Sequence, residues 1–69
     1  MVSKIGVNVR PALDRTSGVM LQQSLLALPG VKQVTVTYPD RVEVHYDDAR
    51  MRASHVLTVL RARGLSATL

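Results

Sequence analysis

The sequence predicts an α+β fold: a ferredoxin-like βαββαβ two-layer sandwich, a four-stranded antiparallel sheet with two helices on one face. Three observations predict it. Four short segments alternate apolar and polar residues with period two, the mark of strands buried on one side. Two segments between them space their leucines and valines three and four apart, the mark of helices with one buried stripe. Proline or glycine stands at most of the joints. Strands apolar on one parity need cover on one face only, so the other sheet face is left to water.

The elements follow in order. Ile5, Val7 and Val9 alternate with Lys4, Gly6, Asn8 and Arg10, giving the first strand. Pro11 ends it, because proline cannot donate to a ladder. Asp14 to Ser17 form a loop in which Thr16 or Ser17 supplies the helix cap. Leu21, Leu25 and Leu28 line one face of the first helix, and Gly18 on the same side allows close approach to the sheet. Pro29-Gly30 ends that helix, with Gly30 suited to the left-handed conformation.

Val34 and Val36 alternate with Gln33, Thr35 and Thr37 in the second strand. Tyr38-Pro39-Asp40-Arg41 has turn chemistry. Val42, Val44 and Tyr46 then alternate with Glu43, His45 and Asp47, so the two runs make an antiparallel hairpin. Tyr38 and Tyr46 both continue the inward parity of their strands. Asp47 and Asp48 place negative charge ahead of the second helix, where it suits the positive helix end. Ala53, Val56, Leu57 and Leu60 share that helix's buried face, and Arg61 and Arg63 suit its negative end. Gly64 stops it. Leu65, Ala67 and Leu69 form a short last strand.

Composition bounds the chemistry. Sixty-nine residues are read as a single domain, 1–69. A domain of this size buries only about 60% of the surface its unfolded chain exposes. There is no cysteine, hence no disulfide and no thiolate to hold zinc or copper. The net charge is +4, and seven of the nine basic residues are arginine, which favours an acidic partner. No apolar run reaches the roughly 18 residues of a membrane span, so no membrane insertion is expected of this segment. The first residues lack the apolar core of a signal peptide. A soluble, cytoplasmic chain is the expectation.

One run is more specific. Ser24-Leu25-Leu26-Ala27-Leu28-Pro29-Gly30-Val31-Lys32-Gln33-Val34-Thr35-Val36 reads as a helix end, a glycine turn and a strand. With Leu21 before it, Tyr46-Asp47-Asp48-Ala49-Arg50-Met51 after the third strand, and Val56, Leu60 and Gly64-Leu65 beyond, this resembles the heavy-metal-associated domain family. That family comprises small copper chaperones and the N-terminal modules of P-type ATPases. The resemblance covers nearly the whole chain and implies the ferredoxin-like fold and a place in metal transport. The family's metal site is a Met-x-Cys-x-x-Cys loop before the first helix. Its cysteines fall here on Asp14 and Ser17, its methionine on Ala12, and the usual aromatic near the loop on Leu65. Soft ions select thiolate and thioether ligands, and a hard divalent ion wants about six oxygens. One carboxylate and one hydroxyl meet neither need, so Asp14 and Ser17 are read as a degenerate motif serving a capping loop.

Other candidates are weaker. His45 lies on the polar parity beside Glu43 and Asp47, at most a weak bridging site. His55 lies on the outward side of the second helix, too far along the chain to pair with His45 on one helix. Met20 and Met51 are thioethers in principle but are read as packing residues. Val19 and Leu26, seven apart, share the outward side of the first helix, with Arg10 and Arg15 near its start. This set is the candidate partner-binding surface. No nucleophile, phosphate loop or placed carboxylate pair suggests an enzyme. Without aromatic residues on the open sheet face, base stacking has no platform.

The expected function is therefore a non-enzymatic protein-interaction or regulatory module in metal-ion transport, with no cofactor. The alternative is a weak non-thiol divalent-metal site or sensor at Asp14. A third reading is basic nucleic-acid binding by Arg50, Arg52, Arg61 and Arg63.

Overall fold

The computed structural model describes residues 1–68. Six elements follow one another: β1 (Val2–Arg10), α1 (Arg15–Leu26), β2 (Val31–Thr37), β3 (Arg41–Asp47), α2 (Ala53–Ala62) and β4 (Ser66–Thr68). The strands pair antiparallel in the order β2-β3-β1-β4. The alternating valines do what their parity predicts. Val7 and Val9 of β1, Val42 and Val44 of β3, Leu25 of α1 and Val56 and Leu60 of α2 are all wholly buried in one cluster. Strand residues of one parity and the stripes of both helices meet in that cluster, so both helices cover the same sheet face. Each such side chain contributes about 1.5–3 kcal/mol by leaving water.

The other face is polar. Lys4, Asn8 and Thr35 are exposed there, and Glu43 and His45 are half-buried. Arg41 lies along this face. Its Nη1 donates to Asn8 Oδ1 at 3.5 Å, and its Nε stands 3.9 Å from Glu43 Oε1. The guanidinium crosses Gly6, where a β-carbon would collide with it. Among the described residues, no helix is long and apolar enough to cross a membrane.

Several expectations need correction. The cap of α1 is Asp14, not Thr16 or Ser17, so the helix begins at Arg15 and the preceding loop is shorter. Strict alternation places Val31 off the buried parity set by Val34, yet both turn toward the core. The pairing register shifts between Val31 and Gln33, and this irregularity absorbs one residue. Tyr46 is buried as expected, but β2 ends at Thr37, so Tyr38 belongs to the turn and is 40% exposed. Gly18 is buried as expected, and its closest neighbour is Tyr38: a β-carbon on it would meet the ring at 2.7 Å.

Asp47 and Asp48 do not serve α2, which starts five residues further on at Ala53. β1 pairs to the end of β3, with Val2 opposite Asp47, and this brings the chain's first residue beside the two acids. The Met1 ammonium lies 3.7 Å from Asp47 Oδ1 and 3.4 Å from Asp48 Oδ1. Ser3 Oγ donates to Asp48 Oδ2 at 2.8 Å, and this bond, before the ammonium, holds the Asp48 carboxyl below its ordinary pKa. At the other end, Leu65 precedes β4 and donates its N–H to Leu60 O at 3.2 Å. Leu69, expected in the last strand, lies outside the described residues.

Candidate functional site

The segment from Pro11 to Ser17 is the part of the fold where the sequence leads one to look for a metal. It is fixed from two sides. Val9 N–H donates to Asp40 O at 2.8 Å and Leu13 N–H donates to Pro39 O, which ties the segment to the β2–β3 turn. Leu13 is buried beneath it. Asp14 is extended (φ −88°, ψ 176°), the backbone a cap needs. Its Oδ1 accepts the Ser17 N–H at 2.7 Å. That bond first, and the Ser17 hydroxyl second, hold the Asp14 carboxyl below its ordinary pKa. The carboxylate is thus ionised at neutral pH and already engaged by the helix it begins.

Beside this segment lies an open groove of about 340 Å³. Pro11, Ala12 and Leu13 form one wall. Ser17, Met20 and Leu21 of α1 form the second, and Arg63, Gly64 and Leu65 close the third. Asp14 does not line it. Arg63 Nη2 donates to Ser24 Oγ and so ties the end of α2 to α1. A cation entering here would find one hydroxyl, one thioether and a guanidinium that repels it. Among the described residues, no three of His, Cys, Asp and Glu gather where a single ion could reach them.

The remaining candidates fall as follows. Met51 is buried in the core, whereas Met20 is 53% exposed on the groove. His45 stands across from Lys4 on β1 and Gln33 on β2, so an ammonium is its cross-strand neighbour. His55 is exposed but has a structural task the sequence reading missed. Its Nδ1 accepts the Arg52 N–H at 3.2 Å, and its own N–H donates to Arg52 O at 2.9 Å, closing the first turn of α2. The signal was its position three residues after the cap.

Val19 and Leu26 are exposed on α1 in line with Arg15, as spacings of four and seven dictate. The Arg15 guanidinium lies 6.0 Å from the centroid of the Tyr38 ring, whose hydroxyl donates to Arg15 O at 3.4 Å. Gln22 shares the stripe and its Nε2 donates to Val34 O at 2.9 Å, so the stripe runs beside the edge strand β2. Arg10 does not join this set. It is on the water-facing parity of β1, whereas α1 covers the other sheet face. Arg50 and Arg52 precede α2 while Arg61 and Arg63 end it, so the four arginines make two groups, not one patch.

No protein-family model matches the chain, and no curated protein matches it in sequence. Solved structures do match. Oxidized MerP from Ralstonia metallidurans superimposes with a TM-score of 0.87 at 16% identity, over 99% of this chain and 96% of that one. The CopZ metallochaperone gives 0.88 at 21% identity, over 96% and 100%. A copper-binding domain from a P-type ATPase gives 0.87 at 20% identity, over 99% and 92%. Over its described residues, then, this chain has the fold of the heavy-metal-associated domains.

Proposed function

We propose that the chain is a non-enzymatic module of metal-ion transport that works by protein contact and holds no metal of its own. One observation carries the reading: the Asp14 carboxylate, at the place of a family thiol, serves as the cap of α1, its Oδ1 accepting the Ser17 N–H. The neighbouring groove offers a soft ion only the Met20 thioether, beside Arg63. The likeness to metallochaperones and to an ATPase domain supports the transport setting. The Arg15–Val19–Leu26 stripe is the partner-binding surface in this reading, its basic end suited to an acidic protein in the cytoplasm. The alternative, a weak divalent site on Asp14, would have only the Oδ2 side of one carboxylate to build on, far short of the roughly six oxygens a hard ion wants.

Titration with Cu(I), Zn(II) and Mn(II), followed by backbone amide shifts, tests the reading. The amides of residues 12–17 are expected to show no saturable change at submicromolar metal. Submicromolar binding there overturns the proposal, and loss of that binding in Asp14→Ala would assign it to the carboxylate.

A further inference from the structure

A second groove lies at the opposite end of α1. Leu28 and Pro29 form one side, Met51 and Val59 the other, and Arg50 and His55 stand at its rim; its volume is about 330 Å³. Arg50 and His55 also border an adjoining depression that is lined by Arg52 and, as its one acid, Asp48. We propose that this groove docks a short acidic segment of a protein partner, with one apolar side chain between Leu28 and Val59 and the flanking carboxylates against Arg50 and Arg52.

The charge around the groove selects that occupant. Arg50 and Arg52 are exposed, and among the described residues neither has an ion-pair partner. Asp48 lines the depression too, but its carboxylate is engaged by the Met1 ammonium and by Ser3 Oγ, and the Asp47 carboxylate also meets that ammonium, so neither neutralises the arginines. No acidic residue lies in the first turn of α2, so the partial positive charge of that helix end adds to the arginines. A second copy of this chain is a poor occupant, because the same basic rim would meet itself at a net charge of +4. A nucleic acid would use the arginines but leave the apolar walls empty.

The groove is held in shape. Gly30 has φ +94°, and its carbonyl accepts the Asp47 N–H at 2.7 Å. A β-carbon on Gly30 would stand 3.0 Å from Arg50 Cβ and 3.5 Å from Met51 Cγ. The missing side chain therefore lets the turn after α1 close onto the segment that carries Arg50. The inference stands apart from the metal question, because the length of α1 puts about 18 Å between its two ends. Metal is read at residues 12–17 and peptide at residues 28–59.

The test uses the isotope-labelled chain and two synthetic probes, N-acetyl-Glu-Leu-Asp-Asp-amide and its charge-reversed partner N-acetyl-Lys-Leu-Lys-Lys-amide. The acidic probe is expected to shift the amides of Gly30, Arg50, Met51, His55 and Thr58 saturably below about 1 mM. The lysine probe is expected to shift none of them. Arg50→Glu with Arg52→Glu should weaken the acidic probe at least about tenfold, a change of about 1.4 kcal/mol, while amide dispersion stays native because both side chains are exposed. The proposal is overturned by no saturable shift, by equal response to both probes, by an unweakened double variant, or by tighter binding of a single-stranded oligonucleotide at the same residues.

Discussion

The two helices begin in opposite ways. α1 starts from a carboxylate: Asp14 takes the Ser17 N–H, and its negative charge meets the positive helix end. α2 starts from a cation. Its cap residue is Arg52, its first turn holds no acid, and only His55 Nδ1 turns back to the chain, accepting the Arg52 N–H. Both backbones enter their helices extended, with φ −88° at Asp14 and −119° at Arg52, so the difference is one of side-chain chemistry and not of geometry. A helix start that supplies its own anion has little left to offer a ligand. One flanked by unpaired arginines keeps its charge available. The end at which the sequence resemblance directs the search for a metal is thus the self-satisfied one, and the opposite end is the one with unspent potential.

The largest expected effect breaks the second of these regions. Gly30→Ala forces a side chain into a left-handed backbone and against Arg50 Cβ. Chemical denaturation should show a loss of about 1–3 kcal/mol. Gly64→Ala is the control: φ is +83° there too, but open space surrounds the position. Its loss should be smaller, because only the backbone term acts. Equal losses would mean that the approach of the turn to Arg50 carries no energy. Next comes a change that converts one start into the other. Arg52→Asp should stabilise the domain by about 1 kcal/mol, since a carboxylate at an extended cap position takes orphan amides and suits the helix dipole. The same variant should lose affinity for the acidic probe. Unchanged stability would show that His55 already satisfies the α2 start.

The sequence made α1 and α2 legible but not their difference. Periodicity specifies buried faces, and Val7, Val44, Leu25 and Leu60 are buried as their spacing requires, because a slip of one residue would turn a whole strand outward. Caps are another matter. Asp14, Thr16 and Ser17 are all competent cap residues, and the choice rests on which one the loop from Leu13 holds extended. Asp47 and Asp48 stood close enough in sequence to α2 to suggest a charge role there. The β1–β3 register, a long-range property, took them to Met1 instead. The groove at Arg50 was invisible for the same reason: Leu28 and Val59 are distant in sequence, and the packing of both segments on one core, with the close approach of Gly30 to Arg50, brings them together. The arginine-rimmed stripe read from α1 lost Arg10 because that residue is on the other sheet face.

The smallest effect at neutral pH, and the sharpest comparison, comes from Asp14→Asn. Asparagine caps a helix about as well as aspartate, so at pH 7 only the charge contribution is lost and the change should be slight. The pH dependence separates the two chains. The folded Asp14 pKa lies below its ordinary value of 3.8, so the unfolded chain takes up a proton first as the solution is acidified. A carboxyl shifted in this direction contributes stability that is complete above its unfolded pKa, about 3.9, and is lost as pH falls through the folded value. Between pH 5 and pH 2 the parent chain should therefore lose more stability than Asp14→Asn. Asp48, lowered in the same direction by Ser3, titrates in both chains and cancels in the difference. Parallel acid curves for the two chains would mean that the cap bond holds without the charge, and the contrast between the helix starts would then rest on α2 alone.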